Sequence, residues 1–556
     1  MRPSVFLALS LLVPPAAAQV TFSEVTPTTA PYFATPPEED FWINSIAPAD
    51  YDGDGRTDLA VIGFYVVYDV SVEDKLLLLH NDGEGDGGLW SFTTVELPLN
   101  GMIAGASDLA WGDIDGDGDH DLLVASGGAM ALYRNDGGSL VATDVALPAY
   151  YEDSEYEDTY DLRSISLADV DNDGDLDLLV PSVFDEASFT FSTRLLRNDG
   201  DDGAGGWTFT DTDAAIDPSV NAQSAWADDD GDGDLDLLLA NVDPNTDNGY
   251  VRLYRNDADG FHASDPLGIR VAHGLADMAD VDADGDQDLL VAGNLQEPDE
   301  TFVTVVRLYR KDSAGYTAED LISAPAAEWL DFNAATWADY DSDGDVDLLV
   351  TGSYIGDSKI AGKSEIYAND GGSFAPIGVQ LPAPIGSIGR GGAFTWFDLD
   401  GDGDLDYLVA GGFFVPGGNG LVEAQIHLFR NDAVAVNAAP AAPTGLTLAP
   451  SGEDGIVLSW TAAADDHTPS AQLTYDLELW RDAAPIALPG RLPQPGSIGN
   501  TLRRDLGGLP PGRYVWRVAA VDSAYAGSAP VGGEFTLPLD LDAIFADGFE
   551  TATRRD

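Results

Sequence analysis

Four aspartates at alternating places, Asp113, Asp115, Asp117 and Asp121, with a turn-making Gly118 between them, carry the clearest chemical potential in this chain. They stand at positions one, three, five and nine of the stretch DIDGDGDHDL. The same arrangement returns six times: Asp50, Asp52, Asp54 and Asp58; Asp169, Asp171, Asp173 and Asp177; Asp228, Asp230, Asp232 and Asp236; Asp280, Asp282, Asp284 and Asp288; Asp339, Asp341, Asp343 and Asp347; Asp398, Asp400, Asp402 and Asp406. Carboxylates packed this densely repel one another, so the bare loop has no single compact shape. A cation removes the conflict. All the candidate ligands are oxygens and no His or Cys takes a ligand position, which selects a hard ion, Ca²⁺ or Mg²⁺. A flexible loop with many carboxylates suits Ca²⁺ better, because Mg²⁺ demands a tight octahedron and keeps its waters. The expectation is about seven structural Ca²⁺ ions.

Position six is always glycine, as a chain reversal through φ > 0 requires. Position seven is Arg56 in the first loop and Asp in the other six, as expected where only a backbone carbonyl is used. An EF-hand would place Glu at position twelve and helices on both sides. Here position twelve is apolar or small and the flanks are short apolar runs such as Leu122-Leu123-Val124. Nonapeptide calcium repeats would recur every nine residues, whereas these recur at 63, 56, 59, 52, 59 and 59.

The elements that must hold these loops are strands. Each unit has four strand-like pieces, clearest in the second: Leu109-Ala110-Trp111 into the loop, Asp121 to Ser126 out of it, Ala131 to Asp136, and Leu140 to Val145 after a Gly137-Gly138 turn. The third piece recurs at Leu195, Leu253, Leu308, Ile366 and Leu428. The last unit lacks a fourth piece, and Val20 to Val25 is an unpaired strand at the other end of the sequence. That strand is expected to complete the seventh unit.

These units resemble the FG-GAP/VCBS repeats of integrin α-subunits and bacterial surface proteins. The Asp loops carry the resemblance over about residues 20 to 433. It implies a seven-bladed β-propeller with Ca²⁺ in the hairpin loop between a blade's first two strands, bound at position nine through both oxygens. The Phe-Gly and Gly-Ala-Pro signatures are poorly kept. Trp111, Trp226, Trp337 and Trp396 stand two residues ahead of their loops instead and are read as blade-packing residues. Beyond an Ala/Pro linker at 434–445, residues 446–538 carry strands at Ile456–Trp460, Leu473–Trp480, Tyr514–Val521 and Glu534–Leu537 that resemble a fibronectin type III module. The expected fold is therefore all-β, a seven-bladed β-propeller over 19–433 followed by a small β-sandwich.

Residues 1–18 read as a secretory signal: Arg2, an apolar core from Val5 to Val13, and Ala16-Ala17-Ala18. The tail, 539–556, contains an IFADGFE stretch that resembles a short C-terminal motif of exported Gram-negative proteins. No later stretch is long and apolar enough to span a bilayer. The net charge is −72, which argues against nucleic acid as a partner. With no Cys, bound ions take the stiffening role that disulfides play outside the cell.

No G-x-S-x-G or H-E-x-x-H occurs, and the six His are scattered. The expected role is a monomeric, secreted or surface-held scaffold that binds an extracellular protein or glycan. A polysaccharide lyase or a lectin on the same framework is the alternative. Partner-binding loops are expected on the face away from the Asp loops, at Phe64 to Tyr68, Tyr150 to Tyr160, Phe184 to Phe191 and Phe413-Phe414.

Overall fold

The computed structural model describes residues 21–537 except 28–38, 68–70, 86–87, 100–101, 103–106, 150–164, 186–187, 189, 202–206, 245–247, 258, 265–266, 297–300, 325–328, 357–358, 380, 383–392, 415–421, 433–436, 452–454, 482–483, 487–495 and 507–508. Residues 1–18, expected from their sequence to be a secretory signal, the tyrosine-rich stretch Tyr150 to Tyr160 and the tail 539–556 lie outside the described residues.

The regular elements among the described residues are all strands, and the chain is all-β. After a short β1 (Phe22–Glu24), strands come in fours. Sheet one is β2 (Glu39–Ala49), β3 (Asp58–Val67), β4 (Ser71–Glu84) and β5 (Trp90–Leu97). Sheet two is β6 (Ser107–Gly112), β7 (Asp121–Ser126), β8 (Ala129–Asn135) and β9 (Leu140–Ala142). Sheet three is β10 (Ser166–Ala168), β11 (Asp177–Asp185), β12 (Thr190–Asp201) and β13 (Trp207–Asp211). Sheet four is β14 (Val220–Ala227), β15 (Asp236–Asp243), β16 (Asn248–Asp257) and β17 (Gly260–Ser264). Sheet five is β18 (Arg270–Ala279), β19 (Asp288–Gln296), β20 (Phe302–Asp312) and β21 (Gly315–Ala324). Sheet six is β22 (Trp329–Ala338), β23 (Asp347–Gly356), β24 (Lys359–Asp370) and β25 (Ser373–Pro376). Sheet seven is β26 (Ala393–Phe397), β27 (Asp406–Phe414) and β28 (Val422–Asn431), with β1 as its fourth strand. The register Phe22↔Asn431 and Glu24↔Phe429 fixes that pairing, so the strand foreseen near Val20 to Val25 does complete the seventh sheet.

The sequence of each strand follows its place. Second strands read as Asp followed by an apolar run, D-L-L-V in four of the seven, because they are covered on both faces; β7 is buried at every residue. Fourth strands alternate, as Trp207-Thr208-Phe209-Thr210-Asp211 does, because one face is solvated. Alternate residues of a second strand enter different cores. Leu122 and Val124 pack with Ala60 and Ile62 of sheet one, while Leu123 and Ala125 pack with Leu178 and Val180 of sheet three. The same sharing links sheets three and four, four and five, five and six, and six and seven. In the remaining core Leu408 and Ala410 of sheet seven pack with Leu59 and Val61 of sheet one.

The C-terminal part has two antiparallel sheets. One contains β29 (Thr444–Ser451), β30 (Gly455–Thr461) and β33 (Arg503–Leu506). The other contains β31 (Thr474–Arg481), β32 (Ala484–Ile486), β34 (Gly512–Val521) and β35 (Val531–Leu537). Both feed one core around Trp460, Tyr475 and the fully buried Trp516.

Candidate functional site

Each Asp loop joins the first and second strands of its sheet. The residue before position one pairs with position nine: Ala49↔Asp58, Gly112↔Asp121, Ala168↔Asp177, Ala227↔Asp236, Ala279↔Asp288, Ala338↔Asp347 and Phe397↔Asp406. Position six has φ between 88° and 101° in all seven loops. Position four is left-handed too, as Gly53, Gly116, Asn172, Gly231, Ala283, Ser342 and Gly401. Its enrichment in Gly and Asn was the signal for this second reversal, and the sequence reading did not use it.

The carboxylates fold the loop around themselves. Position one receives backbone N–H groups from within the loop, as where Asp54 and Gly55 donate to Asp50 at 3.0 and 2.8 Å. Position five accepts the N–H of position seven in every loop, an Asx turn. Position nine is buried and spans two strands. Asp121 takes the Ile114 N–H on Oδ2 and the Asn135 N–H on Oδ1, at 3.0 and 2.8 Å, and five other loops repeat this. Position seven has a side-chain role that its variability had hidden: Asp119 and Asp345 accept the Gly137 and Gly371 N–H groups at 2.7 Å, fixing the turns into the fourth strands.

The loops bring their acids together. Ligand oxygens of Asp50, Asp52 and Asp58, and of Asp113, Asp115 and Asp121, lie within 4.8 Å of one another. Position three faces inward: Asp282, Asp341 and Asp400 each have a buried Oδ1 with no hydrogen-bond partner. Loss of water raises several of the loop carboxyls, and their neighbours' negative charge adds to it. Asp115, Asp341 and Asp400 are pushed up to about 6, Asp121 to about 7, and Asp177 and Asp406 to about 8, the backbone N–H bonds offsetting part of the rise.

Two features of the third strands escaped the sequence reading, which took the recurrent Arg-Asn-Asp only as a hairpin signal. The Asn joins neighbouring sheets. Asn135 donates its amide to the Tyr51 carbonyl at 2.6 Å, Asn198 to Ile114, Asn256 to Val170, Asn369 to Val281 and Asn431 to Tyr340, each at position two of the preceding loop. In sheet five Lys311 replaces Asn. Its Nζ bonds the Asp229 carbonyl at 2.6 Å and the Asp229 carboxylate at 2.8 Å. Asp229 is the only acid at position two among the seven loops. The residue before this Asn or Lys is a cation in most sheets, set against position three: Arg197–Asp171 at 3.9 Å, Arg255–Asp230 at 3.3 Å and Arg310–Asp282 at 3.5 Å. In sheet one it is His80 and in sheet six Ala368.

The C-terminal sheets touch the loops directly. Gln472 donates to the Asp280 carbonyl at 2.8 Å and Ser523 to the Asp339 carboxylate at 2.6 Å. Arg504 lies within the field of Asp169, Asp228 and Asp234, although burial still pulls its guanidinium down. A Cβ on Gly403 would lie 3.4 Å from the Asn437 carbonyl. Loops three to seven therefore converge on this unit. Of the four Trp ahead of the loops, Trp111 is buried with its Nε1 on the Ala47 carbonyl at 3.0 Å, and Trp396 is buried against Tyr407. Trp226 and Trp337 are half-buried against Phe261 and Phe374.

Repeated strand–acid loop–strand units define this class of protein. A family model described as the FG-GAP-like repeat matches residues 113–180, 228–291, 280–350 and 339–409. Each match runs from position one of a loop into the second strand of the next sheet, and the chain carries FG-GAP-like repeats. No curated protein matches it. Among solved structures, an Agrocybe aegerita lectin described by its recognition of non-reducing terminal N-acetylglucosamine is 17% identical, over 60% of this chain and 80% of that one, with a TM-score of 0.35. The Photorhabdus luminescens Tc holotoxin pore is 16% identical over 89% of this chain and 23% of that one, TM-score 0.32. The extracellular domain of a putative one-component system from B. thetaiotaomicron is 10% identical over 93% and 59%, TM-score 0.29. These scores carry no argument about the present chain. No helix among the described residues is long and apolar enough to cross a membrane.

Proposed function

We infer that this chain is an exported, Ca²⁺-stabilised seven-bladed β-propeller with a fibronectin III-like C-terminal sandwich, acting as a monomeric binding scaffold for an extracellular protein or glycan. Closure of the ring is supported by the core shared between sheets seven and one and by β1 completing the seventh sheet. The observation that carries the ion-binding part is the set of buried, unpartnered position-three oxygens of Asp282, Asp341 and Asp400, inside loops whose acids at positions one, five and nine are already held by backbone N–H groups. An all-oxygen donor set of this charge fits a hard cation. Positions one, three, five and nine would hold Ca²⁺, with a backbone carbonyl at position seven. The ion would supply positive charge that lets these carboxylates stay ionised while packed together.

With the C-terminal sheets against loops three to seven, the opposite rim is the surface proposed for a partner. It carries the connections from second to third strands and the strand ends beside them, including Phe184 of β11 and Phe191 of β12, whose rings are 5.0 Å apart. Rigid scaffolds commonly carry recognition on such loops. A glycan array and an extracellular-protein pull-down with the exported chain test this, each with and without Ca²⁺. Calcium-dependent capture that is lost when Phe184 and Phe191 are changed to Ser supports the assignment. Turnover of an acidic polysaccharide by the purified chain would replace it with an enzyme.

A further inference from the structure

Loop one departs from its six siblings in a way that changes its ion chemistry. At the place before the inter-sheet Asn, five sheets have Arg and one has Ala, but sheet one has His80. The His80 Nδ1 is buried and lies 3.1 Å from Asp52 Oδ2 and 3.3 Å from Asp58 Oδ1. Neither approach has hydrogen-bonding geometry. The ligand atoms of Asp52, Asp54 and His80 lie within 4.8 Å of one another.

A second observation points to the same spot. Asp58 is 1% exposed, and its Oδ2 has no hydrogen-bond partner. In the other six loops that oxygen accepts the position-two N–H. Loop one therefore has a buried carboxylate oxygen without a partner, Asp58 Oδ2, on the same carboxylate whose other oxygen, held by the Asn81 N–H, lies 3.3 Å from the imidazole nitrogen. The spacings suit a small ion: a tetrahedron with bonds of about 2.0–2.1 Å has edges of about 3.3 Å. On the far side of the ring, Nε2 faces the Asp82 carboxylate at 3.8 Å, on the side where ligating imidazoles are usually oriented by an acid.

Charge runs the same way. Loop one has four Asp where the others have five or six, and position seven is Arg56. Arg56 pairs with Asp54 and donates Nε to the Asn81 carbonyl at 2.6 Å. Fewer negative charges and one nitrogen donor weaken the case for Ca²⁺ and favour a borderline metal, which imidazole suits.

We propose that loop one is a mixed nitrogen–oxygen site for a first-row transition-metal dication of the Zn²⁺ type, held by His80, Asp52, Asp54 and Asp58. The assignment rests on the reading that the Asp loops hold ions. The test uses the full exported chain, stripped of metal, reloaded with Ca²⁺ and titrated with Co²⁺ as a visible probe. Wild type should bind one Co²⁺ with d–d absorption while Ca²⁺ is in excess, and Zn²⁺ should displace it. His80→Arg, which copies the sibling loops, should weaken that equivalent more than tenfold and leave the Ca²⁺-dependent rise in Tm unchanged. His80→Gln should do the same.

Absence of the Co²⁺ equivalent in wild type would overturn the proposal and leave His80 as a packing residue beside Asp52. So would an equivalent that survives in His80→Arg, as binding at the exposed Asp257, Asp259 and His262 would give. A wild-type Tm indifferent to Ca²⁺ would instead break the underlying calcium reading.

Discussion

The side-chain amide of Asn81 in β4 donates to the carbonyl of Leu399 across 2.9 Å, joining residues 318 positions apart. It does for sheets seven and one what Asn135, Asn198, Asn256, Asn369 and Asn431 do for the other neighbours. The bond is buried, so its loss strands a carbonyl that has no access to water. Asn81→Ala should cost about 1–3 kcal/mol. Chemical denaturation should give a similar loss for Asn198→Ala, because the junction between sheets seven and one is built like the rest. A negligible cost for Asn81→Ala alone would mean that this junction is not a working interface.

Sheets four and five are joined by charge. Asp229 is buried and takes Lys311 at 2.8 Å and Arg255 at 3.1 Å. Removing Lys311 leaves the buried Asp229 to the half-exposed Arg255 alone, so Lys311→Ala should cost up to about 3 kcal/mol. The double variant Asp229→Val with Lys311→Asn restores the pattern of the other junctions. It should recover stability to within about 1 kcal/mol of wild type. A double variant no better than the single would show that the pair is not an exchangeable form of the Asn contact.

Much of this architecture is legible in the sequence. Seven D-x-D-x-D-x-x-x-D loops with Gly at position six, the apolar second strands and the alternating fourth strands each follow from local patterning, and the observed strands fall where those patterns stand. Even the non-local pairing of β1 with β28 could be inferred, because one unit lacked a strand and one strand lacked a unit. What stayed hidden lies between units. The Asn to position-two carbonyl bonds span 84 to 91 residues within the chain. His80 sits 22 residues after Asp58, outside any loop motif. Such contacts arise only when sheets pack, although the exceptional Asp229 at an otherwise apolar or aromatic position was a visible clue.

The loops should invert their pH response when calcium is removed. Without an ion, burial holds Asp121 near 7 and Asp177 and Asp406 near 8. The folded state then keeps protons that the unfolded chain loses near pH 4. That stability is fully present below about pH 4 and is lost as pH rises through 7 to 8. Bound calcium requires ionised carboxylates, so its contribution grows with pH. Tm in EGTA should fall from pH 5 to pH 8, and Tm in calcium should rise over the same span. Parallel curves would contradict this.

Loop six should be the most sensitive to backbone change. Gly344 has φ of 97°, and a Cβ there would meet the His467 carbonyl oxygen at 1.9 Å. Gly118 has φ of 100° and open space around its Cβ. Gly118→Ala should cost about 1–2 kcal/mol, the left-handed penalty alone. Gly344→Ala should cost clearly more and should raise proteolysis of the C-terminal sheets, because it also breaks their seat on the loop. Equal costs would mean that the C-terminal unit does not rest on loop six in solution.

The most direct measurement is scanning calorimetry of the purified chain in excess EGTA and in millimolar Ca²⁺ at neutral pH. Each site at ten times its Kd adds about 1.4 kcal/mol. The six loops other than loop one, acting together, should therefore raise the Tm of the repeat region by many degrees, and Asp282→Asn should reduce that rise. Superimposable melts in EGTA and Ca²⁺ would contradict the account.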